Sequence, residues 1–406
     1  MRFKKAGTVL ALSLISVFCY PLLACVKLPS PSEPTPEKIV LELQRSELDR
    51  SEEAAEETDD ITELTKLTDQ VDLAISAMSL GEKVSGLLIV TIGGLDSEAY
   101  ETFLSEIPAA GFLMGRANLA ADKFTIRNFI ENLQNQAEFP LVFAVDQEGS
   151  PVARISGDRF PGARKLGMGD PVDTAEAFVA RQQLVDAVGA NVNFGLIADV
   201  SLGPRAYIHP RSFSTDVDTV ADHVKAALVP VPEVAQTLKH FPGHGLVLED
   251  SHRMVPRSEI SFRDWRLSHA IPFEVGIQAG ADLVMMGHIR VPAVSKDPAT
   301  LSDDWVQILR HDLGFEGVII TDDLRMLLRS GEESYQQAPA LAIAALQAGN
   351  DLLLMAVDPA SDPTYETYRE MVFEMEEAVR DGRLSEERVN ESLRRVLMLR
   401  SSLGVP

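Results

Sequence analysis

Short apolar runs alternate with amphipathic stretches along the chain from about residue 73 onward. The apolar runs are rich in Val, Ile and Leu, and they predict strands at 86–92, 111–114, 141–145, 192–197, 236–239, 283–286, 317–321 and 351–355. Helical periodicity falls between them, at about 119–137, 173–188, 216–227, 264–279, 302–313 and 337–348, and twice more after the last run. Continuous apolar strands separated by helices are typical of parallel strands covered on both faces.

Eight consecutive strand–helix units predict an α/β fold, namely a (β/α)8 TIM barrel that forms a single domain over residues 69–406. A doubly wound open sheet is the alternative, but eight units in succession favour the barrel. Ser79 and Glu82 have the spacing of a capping box and predict the start of a helix that enters the domain.

The N-terminal 25 residues have the pattern of a targeting segment. Three basic residues within the first five positions precede an apolar run over 7–23, which is too short for a spanning helix. The run ends in Leu22-Leu23-Ala24-Cys25, which resembles the lipobox of bacterial lipoproteins. We therefore expect a signal peptide over 1–25, lipidation of Cys25, and export to the extracytoplasmic face of the cell membrane. The alternative is an ordinary signal in which Cys25 is incidental.

Residues 26–68 are rich in proline and then in acidic residues, which predicts an extended tether or a disordered leader. Ten acidic residues and two arginines over 42–63 account for a third of the net charge of −24. Because no cluster of Lys and Arg is present, nucleic acid is excluded as a partner. Both cysteines precede the tether, so the mature domain has no disulfide.

Polar side chains follow the ends of four predicted strands. Asp146 follows the third strand, Lys239 and His240 end the fifth, His288 follows the sixth and Asp322 the seventh. An acid just past a strand is often only a helix cap. Several such residues at one rim of a barrel instead predict an active-site pocket, because the carboxyl ends of the strands share one face. Of the adjacent acids that follow the seventh strand, we expect Asp322 to face this pocket and its neighbour to cap a helix.

The segment KHFPGHGLVLEDSH, residues 239–252, holds three of the eight histidines. Its proline and glycines exclude a regular helix, so its second half predicts a loop with a hinge near Gly243 and Gly245. Asp250 and His252 are spaced so that the carboxylate can fix the tautomer of the ring, which leaves one nitrogen for proton transfer. With a carboxylate at a strand end, such a pair suggests double displacement by one nucleophile and one acid/base.

These residues resemble glycoside hydrolase family 3. The segment KHFPGHG with DSH four residues later, VDQEG, PRSF, GHIRVPAV with PATLS, and LGFEGVIITDDLRM carry the resemblance, which covers residues from about 70 to 406. Within the family they are similar to the β-N-acetylglucosaminidase branch of peptidoglycan-recycling enzymes. The resemblance implies a retaining exo-glycosidase on a TIM barrel.

Position by position, the resemblance implies that Asp322 is the nucleophile and that His252, paired with Asp250, is the general acid/base. Further residues are implied to bind the sugar: Asp146, Arg154, Arg211, Lys239 and His240. Met326 is a candidate for contact with the N-acetyl group, although a core position is more usual for methionine. His244 is expected to be structural, and His288 either lines the pocket floor or satisfies a backbone carbonyl.

The sequence departs from the family pattern in three places, one of which is His209, two residues before Arg211, in a loop where the family usually has a glycine nearer the arginine. The usual DQEGGRV is DQEGSPV here, with Ser150 and Pro151, and the usual NFAPV is NFGLI. These changes put in question the geometry of the loops around Arg154 and Arg211. The second sandwich domain of many family members is not expected, since only about 50 residues, mostly helical in pattern, follow the last strand.

We predict an exo-β-N-acetylglucosaminidase, a monomer, that requires no metal or organic cofactor and acts on peptidoglycan fragments or chitin oligomers. A β-glucosidase or a phosphorylase of the same fold is an alternative, as is a sugar-binding lipoprotein without activity. A metal-dependent hydrolase is a rival, because His240, His244, Asp250 and His252 are all potential ligands. The intervening proline and glycine exclude the helical His spacing of such sites.

Overall fold

The computed structural model describes residues 62–231 and 234–403. The signal-peptide prediction for 1–25, the lipidation of Cys25 and most of the tether therefore lie outside the described residues. Within them, no helix is both long and apolar enough to cross a membrane.

Eight parallel strands surround the core in the order in which they occur along the chain. They are β1 Leu88–Val90, β2 Gly111–Leu113, β3 Val142–Val145, β4 Val192–Ile197, β5 Ala235–Phe241, β6 Leu283–Met286, β7 Val318–Thr321 and β8 Leu353–Leu354. From β1 to β7 each strand pairs with its neighbour in sequence, and β1 also pairs with β8. A bridge between Ile320 and Leu352 joins β7 to β8 and completes the ring. The predicted (β/α)8 barrel is confirmed.

Helices cover the outside of the strands. They are α1 over residues 62–77, α2 Leu80–Ser85, α3 Ser97–Glu106, α4 Lys123–Gln134, α5 Ala163–Leu166, α6 Pro171–Ala187, α7 Val217–Ala227, α8 Phe262–Arg266, α9 Ala270–Gln278, α10 Asp303–Gln307, α11 Arg325–Leu328, α12 Ala338–Gln347, α13 Glu366–Arg380 and α14 Glu386–Ser402. Helix α3, whose sequence is mostly polar, was not predicted. The single helix predicted over 264–279 is two helices, α8 and α9, and α1 crosses the boundary placed at residue 68.

The predicted capping box at the entry to the barrel is present. Ser79 accepts a hydrogen bond from the backbone N–H of Glu82, and the Glu82 carboxylate accepts one from the backbone N–H of Ser79. This reciprocal pair satisfies two donors that the first turn of α2 would leave free. Helix α2 thus has a defined start just before β1.

Apolar residues from the strands and the inner helix faces fill two large clusters of buried side chains. Trp265 and Trp305 are fully buried and pack edge to face at 4.7 Å between ring centroids. The indole N–H of Trp265 donates to the carbonyl of Pro242 at 2.8 Å. The core is therefore bonded directly to the loop that follows β5, where functional residues were predicted.

Candidate active site

Asp322 lies directly after β7, at the carboxyl end of the barrel. Its backbone N–H donates to the carbonyl of Met286 on β6, and its carboxylate accepts from the N–H of Asp323 at 2.8 Å. Asp323 turns the other way and accepts from the N–H groups of Arg325 and Ala356. Asp323 thus bonds the backbone around the start of α11, and Asp322 remains the candidate for the pocket.

The surroundings of Asp322 keep it ionised. Burial alone raises the pKa of a carboxyl group, but His240, His288, the N–H of Asp323 and Lys239 overcome burial and lower the pKa of Asp322 to about 2. Lys239 carries a full positive charge at neutral pH, whereas burial lowers the pKa of His240 far below its ordinary value and leaves that ring neutral. Asp322 is thus a carboxylate over the whole physiological pH range.

Lys239 and His240 are the last polar residues of β5, and the peptide bond between them is cis, as is the bond between Phe241 and Pro242. Lys239 is 3% exposed, and its Nζ lies 2.8 Å from Asp146 Oδ1 and 2.8 Å from Glu148 Oε1. Burial lowers the pKa of Lys239, but the two carboxylates outweigh burial and raise it. The predicted residues Asp146 and Lys239 therefore meet across the strand ends in one ion-paired group.

Glu148 organises this group, although the sequence analysis did not select it. Arg211 donates to Glu148 through Nε at 2.8 Å and through Nη2 at 2.7 Å, which is a bidentate pair. Burial raises the pKa of Glu148, yet Arg211 and Lys239 together lower it to about 2. Glu148 lies two residues after Asp146 in the same strand-end loop. Its position just past a strand was therefore the sequence signal that could have identified it as a site residue.

The altered segment DQEGSP folds back as a tight turn. The N–H of Glu148 donates to the carbonyl of Val152 at 3.0 Å, and the bond between Ser150 and Pro151 is cis. Gly149 has a φ of +97°, and a Cβ there would lie 2.2 Å from the buried guanidinium of Arg181. Only glycine suits that position. The substitutions leave the carboxylate of Glu148 directed at the strand ends.

Arg154 reaches the same group from the far side of this turn. Its Nη2 lies 3.8 Å from Asp146 Oδ2, and its side chain is 28% exposed. The buried amide of Gln147 accepts from the N–H groups of Arg154 and Ile155, at 3.0 and 2.9 Å, and so fixes the backbone that carries the arginine. Despite the sequence change, both arginines are directed at acids of the predicted pocket.

A buried network holds His240 in one tautomer. Its Nδ1 lies 2.8 Å from Asp199 Oδ2, and its Nε2 lies 3.4 Å from Arg211 Nη2. Because arginine only donates, Nε2 is the acceptor and Nδ1 carries the proton. Burial raises the pKa of Asp199 to about 6, so the acid is ionised at neutral pH and accepts this proton. Asp199 also accepts from the N–H of His244. The sequence analysis missed Asp199, although it follows β4 closely and the strand-end rule applies to it.

The start of the loop after β5 is packed rather than free. His244, Leu246 and Val247 are buried, and His244 Nε2 bonds Ser251 Oγ at 2.9 Å, which fits the structural role expected for His244. A Cβ on Gly245 would lie 1.8 Å from the carbonyl of Val200, so glycine is required for close approach. The hinge expected at these glycines is therefore a tightly packed anchor.

His252 and Asp250 lie beyond this anchor, near the surface. Asp250 Oδ1 accepts from His252 Nδ1 at 2.8 Å and from its backbone N–H at 3.0 Å. Burial raises the pKa of Asp250, but these bonds from His252 and the charge of Arg253 lower it overall. The His252 side chain is 54% exposed. Since Nδ1 is held by the carboxylate, Nε2 is the nitrogen free for proton transfer, as the spacing predicted.

The remaining predicted residues are buried. His288 is 1% exposed; its Nε2 donates to the carbonyl of Asp323 at 2.9 Å, and its Nδ1 bonds Thr300 Oγ1 at 2.7 Å. Of the two roles considered for His288, it therefore satisfies a backbone carbonyl, beneath Asp322. Met326 is 6% exposed in α11, three residues after Asp323. Within the described residues, no group of three His, Cys, Asp or Glu side chains is arranged to hold a metal ion.

This arrangement can be compared with known proteins. The model of the glycosyl hydrolase family 3 N-terminal domain matches residues 79–399, which is the entire barrel. The chain belongs to glycosyl hydrolase family 3. The prediction of a glycoside hydrolase is thereby confirmed.

Individual members of the family give the same result. A β-hexosaminidase of Stenotrophomonas maltophilia is 34% identical over 282 residues, which are 66% of this chain and 83% of that enzyme. The solved family 3 β-N-acetylglucosaminidase from Paenibacillus superposes with a TM-score of 0.74 at 32% identity over 81% of this chain, which spans 64% of that protein. A β-N-acetylhexosaminidase from Beutenbergia cavernae gives 0.67 at 26% identity, with 80% of this chain and 98% of that one covered.

Proposed function

We propose that this family 3 glycoside hydrolase is a retaining exo-β-N-acetylhexosaminidase that removes terminal β-linked N-acetylglucosamine. One observation carries the proposal: an ionised carboxylate, Asp322, stands at a strand end, while a separate loop carries a carboxylate-oriented imidazole, His252 on Asp250. A nucleophile and an acid/base supplied by different elements are what double displacement requires.

In the first step, a carboxylate oxygen of Asp322 attacks the anomeric carbon, and the bond from that carbon to the leaving oxygen breaks. His252 Nε2–H gives its proton to the leaving oxygen, and the negative charge of Asp250 stabilises the cation while it is present. In the second step, neutral His252 takes a proton from water, whose oxygen attacks the anomeric carbon and displaces Asp322. Two inversions restore the β configuration.

The ion-paired group at the strand ends would orient the sugar. Lys239, Arg211 and Arg154 present donors for hydroxyl oxygens, and Asp146 presents an acceptor that is 23% exposed. These side chains are held by one another before substrate arrives, so little rotamer freedom remains to be lost on binding. Charged hydrogen bonds at a fixed position favour one terminal sugar, which supports exo cleavage.

The relatives named as β-hexosaminidases and β-N-acetylglucosaminidases support an N-acetylhexosaminide as the substrate. Within that class we propose peptidoglycan fragments, because the motifs are similar to the recycling branch and the N-terminal 25 residues have the pattern of a lipoprotein signal. Export and anchoring through Cys25 would place the enzyme beside the cell wall. Metabolic labelling with a clickable palmitate, compared with Cys25→Ser, tests the anchor; equal labelling of both would exclude it.

The activity is tested with a panel of aryl β-glycosides and with a fluorinated, activated N-acetylglucosaminide that accumulates the glycosyl-enzyme. We expect turnover of the N-acetylglucosaminide, a β-configured first product, and a mass label on the peptide that contains Asp322. A label elsewhere would overturn the mechanism, and preference for the glucoside would overturn the substrate. A sugar-1-phosphate formed in phosphate buffer would identify a phosphorylase, and no turnover by wild type would leave only sugar binding.

A further inference from the structure

Tyr207 contacts both histidines of the loop that carries the proposed acid/base. Its ring centroid lies 5.6 Å from that of His244 and 5.7 Å from that of His252, the latter at an interplanar angle of 62°. Its backbone N–H donates to the carbonyl of Leu248 at 3.0 Å. Tyr207 belongs to the connection between β4 and α7, so it joins that connection to the loop after β5.

The two histidines differ in how firmly they are held. His244 is 2% exposed, and both its backbone N–H and its ring are bonded, to Asp199 and Ser251. His252 is more than half exposed, and among the described residues its ring is bonded at one nitrogen only, to Asp250. A ring bonded at one edge can still tilt about that bond, which moves its far nitrogen. Tyr207 therefore packs against the firmly bonded ring of His244 and also contacts the more mobile ring of His252.

Charged groups of both halves of the site affect the phenol of Tyr207. Burial raises the pKa of its hydroxyl, and Arg211 opposes that increase. The carboxylates of Asp250, Glu148 and Asp322 add to the increase. The phenol therefore responds to the charge of the loop acid and to that of the strand-end acid.

We propose that Tyr207 is a positioning residue that holds the imidazole of His252 with Nε2 facing the pocket. The inference rests on the proposed function of His252 and deepens it. The physical basis is the edge-to-face contact between the two rings, which favours one tilt of the imidazole over others. Proton transfer depends steeply on that tilt, because donor and acceptor must approach hydrogen-bond distance.

The role predicts a dependence on leaving group. In Tyr207→Ala, glycosylation by an aryl glycoside with a strongly acidic phenol should stay near the wild-type rate, since that leaving group needs no proton. Glycosylation by an alkyl or disaccharide substrate should slow by about tenfold, because it needs the acid. Hydrolysis of the glycosyl-enzyme should slow similarly, and azide, which needs no general base, should restore its rate. Tyr207→Phe keeps the ring and should recover most of the lost rate.

The experiment measures pre-steady-state and steady-state rates of wild type, Tyr207→Ala, Tyr207→Phe and His252→Ala with both substrate types, with and without azide. Phe373→Ala is the matched control, because it removes an exposed aromatic ring from α13, away from the site. Tyr207→Leu, which keeps apolar bulk, replaces the alanine variant if thermal melts show that the latter is unfolded. We expect Tyr207→Ala or →Leu to share the leaving-group and azide signature of His252→Ala in weaker form.

Three results would overturn the inference while the proposed function stands, and the first two concern the pattern of the loss. One is an equal loss in Tyr207→Ala on both substrate types without azide rescue, and the other is a loss in Tyr207→Phe as large as in Tyr207→Ala. If His252→Ala itself retained full activity and showed no azide effect, the proposed function would fail instead. Wild-type kinetics of Tyr207→Ala would also exclude a positioning role.

Discussion

Replacing Glu148 by glutamine should destabilise the protein in a pH-dependent way. The acid is 5% exposed and holds Arg211 through two hydrogen bonds and Lys239 through a third contact. Glutamine has nearly the same shape but no charge, so Glu148→Gln leaves two buried cations beside one fewer carboxylate. Removing one partner of a buried ion pair strongly destabilises the folded state, because the remaining charge is left buried without a partner. The intact pair, by contrast, contributes little net stability.

The size of the effect follows from the pKa of Glu148. The fold lowers it from an ordinary value of 4.5 to about 2, despite burial, because of Arg211 and Lys239. At about 1.4 kcal/mol for each pKa unit, the ionised form is favoured by about 3 kcal/mol. Because the folded pKa is the lower one, this stabilisation is complete above pH 4.5 and is lost as the pH falls towards 2. The difference between wild type and Glu148→Gln should therefore be about 3 kcal/mol at pH 7 and shrink below pH 4.5.

The assay is urea denaturation of both proteins at pH 7, 5, 4 and 3, followed by tryptophan fluorescence, since Trp265 and Trp305 are buried. Glu370→Gln, an exposed change on α13, is the matched control and should be neutral at every pH. A loss in Glu148→Gln below about 1 kcal/mol, or a loss that stays constant from pH 7 to pH 3, would refute the reasoning.

Other predictions concern the loop, its network and the chemistry. Gly245→Ala should lower Tm by several degrees and reduce activity, because the new Cβ would lie 1.8 Å from the carbonyl of Val200. The control Gly93→Ala should be tolerated, because its Cβ would meet its nearest atom at 3.5 Å. Equal Tm values for the two variants would contradict this prediction. Asp199→Asn should lower kcat/KM roughly tenfold or more, because an amide oxygen cannot replace a carboxylate that accepts from Nδ1 of His240 and from two backbone N–H groups. An unchanged kcat/KM would show that this network does not contribute to the site. EDTA should not change the rate, and a loss of activity restored by zinc would favour the metal-dependent alternative instead.

Local patterns in the sequence predicted the strands of the barrel and several residues of the candidate site. The eight apolar runs predicted the positions of the eight strands, because parallel strands that are buried on both faces are continuously apolar. The strand-end positions of Asp146, Lys239 and Asp322 then followed from topology, because the barrel brings those ends to one rim. The pairing of Asp250 with His252 was also local, since two residues of separation allow one hydrogen bond of 2.8 Å.

The tertiary structure decided which distant groups share a charge or a hydrogen bond. Glu148 and Asp199 follow strand ends and Tyr207 lies in the connection after β4, and all three were missed because the sequence does not show which distant residue each contacts. Arg211 lies 63 residues from Glu148, and His240 lies 41 residues from Asp199. The same holds for Gly245, which suggested a hinge until its close approach to Val200 was visible. Sequence fixes what each residue can do chemically, whereas burial and the pairing of remote charges, which shift pKa values and immobilise loops, exist only once the chain has folded.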